Sequence, residues 1–232
     1  MPERIAVITA RGGSKRIPRK NIRAFLGKPL IGWTIENMLA SELFHEVCVS
    51  TDDQEIADIS TAFGASVPFL RRPELADDFT STNDVVLDFI GQFESTVSQV
   101  SEVCVAYPAA VGFDSLHLTK SFEQFIDSQV DLQFVGLRFP SPIERAWVLT
   151  EDQEAHLIHP EFEMTRTQDL EETFYDAGQV YWWREGLSAA VRCGAPLRRG
   201  MYEISRNDAV DIDTEDDWAF AEELFRSRLT SR

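Results

Sequence analysis

The stretch Arg4-Ile-Ala-Val-Ile-Thr-Ala-Arg-Gly-Gly-Ser-Lys-Arg-Ile-Pro-Arg-Lys-Asn21 changes character halfway along, and that change predicts the fold. Its first part, Arg4 to Thr9, is a near-continuous apolar run too short for a helix. It suits a strand covered on both faces, as in a parallel sheet. The second part, Ala10 to Asn21, is a glycine- and base-rich loop leaving the carboxyl end of that strand, where open α/β sheets bind ligands. Positions 11 to 28 hold seven of the 22 basic residues and no acid, in a chain of 232 residues with 39 acids and a net charge of −17. Gly12 and Gly13 let the backbone approach an anion, and exposed N–H groups with arginine and lysine make a polyphosphate cradle. Neither the Walker pattern G-x-x-x-x-G-K-[ST] nor the dinucleotide pattern G-x-G-x-x-G occurs here.

Working outward, strands and helices alternate. A helix is expected from about Pro29 to Ser41 and a strand over Glu46–Thr51. Asp52 is placed to cap a helix ending near Phe63 and Gly64, and Val67–Leu70 reads as a short strand. A helix from near Thr82, a strand over Glu102–Tyr107, a helix near Ser115–Asp127 and a strand over Leu132–Gly136 follow. This rhythm predicts an α/β fold with a Rossmann-like, mostly parallel sheet flanked by helices. It breaks between about 138 and 176, where mixed polar and aromatic text with Pro140, Pro142 and Pro160 reads as an insertion carrying a hairpin, inside a single domain spanning 1–232. Strand character returns over Gly178–Trp183, and Thr214 opens a last amphipathic helix through Trp218, Phe220, Leu224 and Phe225.

Asp211 and Asp213, two apart on an extended segment, point to one side while Ile212 faces the other. Two converging carboxylates are reconciled most easily by a divalent cation, and Mg²⁺ held by one or two carboxylates plus substrate phosphates is the common arrangement at phosphoryl-transfer sites. The alternative is that Asp213 or Thr214 merely caps the last helix. His156 and His159 lack a third ligand, and Trp33 and Trp147 read as core or interface packing. The acidic balance excludes a generic nucleic-acid or membrane-surface binder. Cys48, Cys104 and Cys193 lie far apart and offer neither a disulfide framework nor zinc spacing, so a reducing cytoplasm is expected.

The segments R-G-G-S-K-R-I-P-R-K-N at 11–21, S-T-D-D at 50–53, L-R-R-P-E-L-A-D-D at 70–78 and D-I-D-T at 211–214 resemble the cytidylyltransferases that activate nonulosonic, sialic-acid-like sugars. The stretches 160–172 and 176–182 are similar to members acting on pseudaminic acid. The resemblance implies a nucleotide-diphospho-sugar transferase type of fold, and an enzyme joining CTP to a nine-carbon sugar acid with Mg²⁺. It matches Arg11 and Lys20 to phosphate contacts and catalysis, Asn21 and Arg71 to nucleotide contacts, and Thr80 and Thr82 to positions facing the cytosine. Ala10, Gly12, Gly13 and Ser14 belong to the same cradle, Asp211 and Asp213 become catalytic metal ligands, and Asp176 and Gln179, with Thr167 and Gln168, face the sugar. It also implies a homodimer built on the insertion. One departure stands out: Tyr107-Pro-Ala-Ala-Val-Gly112 lacks the Thr/Ser hydroxyl and second proline usual after the fourth strand. Other sugar acids (N-acetylneuraminate, legionaminate, 3-deoxy-manno-octulosonate) and a non-catalytic nucleotide-binding role remain alternatives.

Overall fold

The structure, a computed structural model, describes residues 3–229, with side chains to 227. In chain order it runs β1 (Glu3–Thr9), α1 (Leu30–Ala40), β2 (Glu46–Ser50), α2 (Gln54–Ala62), α3 (Thr82–Thr96), β3 (Val100–Ala106), α4 (Ser115–Asp127) and β4 (Leu132–Arg138). The insertion follows with β5 (Trp147–Leu149) and β6 (Ala155–Leu157), then β7 (Phe174–Trp183), α5 (Leu187–Arg192), β8 (Arg199–Glu203) and α6 (Glu215–Leu229). Six strands form one sheet in the order β8-β4-β7-β3-β1-β2. β1 lies between β2 and β3, parallel to both, and β8 is parallel to β4. Within this sheet, among the described residues, only β7 runs antiparallel, between β3 and β4; β5 and β6 pair antiparallel as a separate hairpin. The sheet is therefore mostly parallel, as expected, with one reversed strand.

The alternation of side chains along β1 explains why its apolar run has no polar face. Ala6 and Ile8 pack with Ile31 and Ile35 of α1 and Leu118 and Phe125 of α4 on one side. Ile5 and Val7 meet Val86, Phe89 and Phe93 of α3 and Leu187 of α5 on the other. A third cluster lies beside the sheet and joins Ile17 of the basic loop and Ile212 to Phe25, Leu30, Val111, Trp218 and Phe225.

Four local expectations change. α2 is capped by Asp53, whose carboxylate accepts from the Ile56 amide. Asp52 instead accepts from the Gly12 amide at 3.0 Å. Val67–Leu70 forms no strand: Ser66 makes a single bridge to Cys48, and Pro68 brings no N–H to extend it. The edge strand β8, Arg-Gly-Met-Tyr-Glu, lacks the apolar run of a buried strand and was not expected. Phe220 of α6 is 59% exposed and does not join Trp218 and Phe225 in the core.

Candidate functional site

The third cluster builds the site. Ile17 and Ile212 are 195 positions apart in sequence, yet both are essentially fully buried in it. Withdrawing such side chains from water contributes about 2 kcal/mol each. Burying Ile17 turns the flanking cations of the basic loop outward; burying Ile212 turns Asp211 and Asp213 outward on the same side. The two meet in a cleft of about 420 Å³.

Its lining includes Arg11, Ser14, Lys20, Asn21, Arg71, Thr80, Thr82, Asp211 and Asp213. Ala10 is buried behind them, its amide bonded to the Ser50 carbonyl at 2.9 Å. Gly12 and Gly13, between Arg11 and Ser14, do not line the cleft. A Cβ on Gly12 would lie 2.8 Å from an Asp53 carboxylate oxygen, so glycine there permits the loop to dock on the start of α2. Asn21 is buried and donates to the Arg11 carbonyl at 2.9 Å, holding the loop's two ends together.

Each cleft cation has an acidic or carbonyl partner. Lys20 donates to the Ile212 carbonyl at 2.6 Å and lies 3.7 Å from Asp213, which Arg16 meets at 2.8 Å. Arg11 meets Asp78 at 2.8 Å, and Lys15 pairs with the same carboxylate. Arg71 is buried, donating to the Ser50 carbonyl at 2.6 Å and Ser50 Oγ at 3.2 Å. Burial lowers its pKa; Asp52 opposes this and Arg11 adds to it. Lost hydration raises the Asp211 pKa first and the neighbouring Asp213 charge adds to it, with Lys20 and Arg16 in partial opposition. Its side chain still opens to solvent through the cleft, so that desolvation is partial.

Among the described residues no group of three or more His, Cys, Asp or Glu side chains forms a metal cage. Two carboxylates whose mutual repulsion raises one of them do fit a hard cation completed by substrate phosphates, the usual manner of Mg²⁺.

The far wall comes from the loop after β3 and from β7. Pro108, Ala109 and Gly178 line it. Ala109 stands where the usual hydroxyl is missing. Thr82 Oγ1 and Tyr107 OH are 2.9 Å apart, the Tyr107 ring meets Tyr181 edge-on at 5.9 Å, and Tyr181 OH donates to Asp176 at 2.9 Å. Burial, then Asp176 and Tyr107, raise the Tyr181 pKa. Gln179 is buried and donates to the Val210 carbonyl at 3.2 Å, while its Oε1 has no partner among the described residues. None of the four residues expected to face the sugar lines the cleft: Asp176 lies next to its wall through Tyr181, Gln179 is buried behind Gly178, and Thr167 and Gln168 are exposed on a short turn of the insertion. The sequence offered Lys15 and Arg16 only as members of the basic cradle and gave no individual role to them, to Asp78 or to Tyr107. The first two were visible in the basic run, and Asp78 ends the quoted L-R-R-P-E-L-A-D-D; nothing local marks Tyr107.

A mostly parallel sheet carrying a basic loop and an aspartate pair at one cleft defines a nucleotidyltransferase type of α/β protein. The cytidylyltransferase family model matches residues 5–131, and the chain belongs to that family. It is 37% identical over 222 residues to a pseudaminic acid cytidylyltransferase of Campylobacter jejuni, covering 96% of each chain. It is 31% identical over 228 residues to a CMP-N,N'-diacetyllegionaminic acid synthase of Legionella pneumophila, covering 95% of each. Among solved structures, a CMP:2-keto-3-deoxy-manno-octonic acid synthetase complexed with CTP superposes with a TM-score of 0.74 at 16% identity, over 97% of this chain and 99% of the other, which shows the shared fold.

Proposed function

We propose that this cytidylyltransferase joins CTP to pseudaminic acid, giving the CMP-sugar and pyrophosphate. The observation that carries the reading is the convergence of the basic loop and the aspartate pair on one cleft through the shared burial of Ile17 and Ile212. The acceptor is supported by the 37% identity to the Campylobacter enzyme along nearly the whole chain.

The reaction is in-line transfer. The anomeric hydroxyl oxygen forms a bond to the α-phosphorus of CTP as the bond from that phosphorus to the α,β-bridging oxygen breaks; the electron pair leaves on pyrophosphate and the hydroxyl proton passes to water. No covalent enzyme intermediate is required, so the protein's work is positioning and charge stabilisation. Arg11 and Lys20 neutralise phosphoryl oxygens, and the Gly13 N–H adds a backbone donor, the Gly12 amide being held by Asp52 and the Ser14 amide by the Gly12 carbonyl. Asn21, Arg71, Thr80 and Thr82 hold the nucleotide. Asp211 and Asp213 would hold Mg²⁺, which supplies Lewis-acid polarisation of the phosphates. Asp176, exposed beside Tyr181, is placed to receive the sugar, while Gln179 is buried behind the wall and steadies the Val210 carbonyl ahead of the aspartate pair.

Thr167 and Gln168 reach a sugar only in a homodimer, where the insertion extends toward the partner's cleft. The exposure of Trp147, Val148, Leu149 and Ile158 on that insertion, each above half, supports such an association. No helix among the described residues is long and apolar enough to cross a membrane, and with Cys48 and Cys104 as buried free thiols the reading is of a cytoplasmic enzyme.

Pyrophosphate release with CTP and a panel of sugar acids tests the proposal. The expected kcat/KM for pseudaminic acid exceeds that for N-acetylneuraminate by at least about a hundredfold, the order that unmatched buried polar groups produce. Equal use of both acids refutes the acceptor. Absence of release with every acid refutes transfer and leaves the non-catalytic nucleotide binder, a reading motivated by Ala109 in the cleft wall.

A further inference from the structure

The two aspartates of Leu75-Ala-Asp-Asp78 have different tasks. Asp77 turns inward on its own loop: its Oδ1 accepts from the Phe79 amide at 3.0 Å, the Thr80 amide at 2.7 Å and Thr80 Oγ1 at 2.7 Å. That turn presents Asp78 to the basic loop across the cleft. Asp78 holds Arg11 with one carboxylate oxygen and Lys15 with the other, and the Asp77 carbonyl takes a second bond from Arg11 at 3.1 Å. Both cations keep Asp78 ionised, with Lys15 contributing most. The contact spans 63 to 67 positions in sequence and closes the cleft on this side.

Little else anchors this strap. Residues 77–79 are exposed, and Phe79 is 94% exposed, packing against nothing. A segment with so few buried contacts moves at low cost. Asp213, the other carboxylate that occupies cleft cations, has Asp211 two residues away and so has a second task in holding a metal. Asp78 has no such neighbour at the cleft, since the Asp77 carboxylate is spent on the turn. What remains for Asp78 is to place a negative charge where a phosphate would otherwise lie.

We infer that Asp78 is a resident anion of the phosphate cradle: it occupies Arg11 and Lys15 until a polyphosphate displaces it, and so weakens the binding of CTP and of departing pyrophosphate. The inference rests on the nucleotidyl-transfer reading of the cleft. It gives the strap a purpose in turnover, because a cleft lined by Arg11, Lys15, Arg16, Lys20 and Arg71 would retain pyrophosphate if no anion competed for Arg11 and Lys15. Exchange of one anion for another keeps the arginine and lysine partnered throughout.

Titration calorimetry of the full chain with inorganic pyrophosphate, CTP and cytidine tests this. Asp78→Asn and Asp78→Ser should bind pyrophosphate and CTP about three- to tenfold more tightly than wild type, the order set by two exposed ion pairs. Asp78→Glu keeps the charge and should stay within about twofold of wild type on the same scale. Cytidine, which has no phosphate to compete, should bind all forms alike. Unchanged or weaker pyrophosphate binding in Asp78→Asn overturns the inference, since Asp78 would then merely prop Arg11 in place. Equal tightening of cytidine also overturns it, by making the effect conformational rather than anionic. A wild-type protein that binds neither pyrophosphate nor CTP overturns the function and the strap together; a wild-type protein that binds both, with no gain in the variants, sinks the strap alone.

Discussion

Gly112→Ala probes the joint between the loop after β3 and the aspartate segment. A Cβ on Gly112 would lie 2.1 Å from the Asp208 carbonyl oxygen and 2.6 Å and 2.7 Å from ring atoms of Phe225. Contacts of that kind do not go below 3.0 Å, so one wall must retreat by about 1 Å. Neither yields easily. The first obstacle is backbone, and Phe225 is only 5% exposed, packed in the same cluster as Ile17 and Ile212. Overpacking of this size costs about 1–3 kcal/mol. In a chain of this length each kcal/mol lowers Tm by roughly 2–4 °C, giving a fall of about 2–12 °C. The segment that moves carries either Ala109 or Asp211 and Asp213, and a 1 Å misplacement at a reacting centre lowers turnover by up to about a hundredfold. Thermal unfolding followed by circular dichroism and pyrophosphate release under saturating CTP measure the two effects. Gly13→Ala is the stability control, since nothing lies within 4 Å of its Cβ position. A Gly112→Ala protein with the Tm and turnover of wild type refutes the argument that this joint positions the aspartates.

Asp211→Asn should lower kcat by on the order of a hundredfold while leaving the protein at least as stable at pH 7. The sign follows from the raised pKa of Asp211: the folded state binds its proton more tightly than the unfolded chain, so stability falls as pH rises from about 4 through the folded value. The variant should lose that fall, and a Tm–pH profile identical to wild type contradicts it. Arg11→Ala and Lys20→Ala should both impair turnover, whereas Lys28→Ala should not, because Lys28 pairs with Glu36 over the Trp33 ring and does not line the cleft; three alike variants refute the cradle. Trp147→Ser should shift light scattering from dimer toward monomer, as loss of a large exposed aromatic does at an association surface. A wild-type protein that is monomeric at micromolar concentration and fully active counts against the homodimer.

Elements whose signals are local were legible in the amino-acid text. The β1 run is apolar at every position from Ile5 to Ile8 because both faces of the strand are covered, and that shows in the text. The cradle is legible for a similar reason: seven cations without an acid form a charge pattern that needs no partner to be seen. α4 spans Ser115–Asp127 as expected, and Asp114 caps its start. Elements that owe their state to neighbours were not legible. β8 is a strand because β4 offers it a parallel edge, and β7 reverses the sheet although nothing in Phe174–Trp183 encodes direction. The choice of Asp53 over Asp52 as the α2 cap depends on the Gly12 amide, which arrives from 40 positions away to take Asp52. The site shows the same division. Its cations and its aspartate pair could each be named from their spacing. That they share one cleft, that Asp78 stands among the cations, and that Thr167 and Gln168 lie elsewhere were decided by tertiary packing. The physical reason is that Ile17 and Ile212 find water-free surroundings only together, and the charged neighbours of each are carried to the same place.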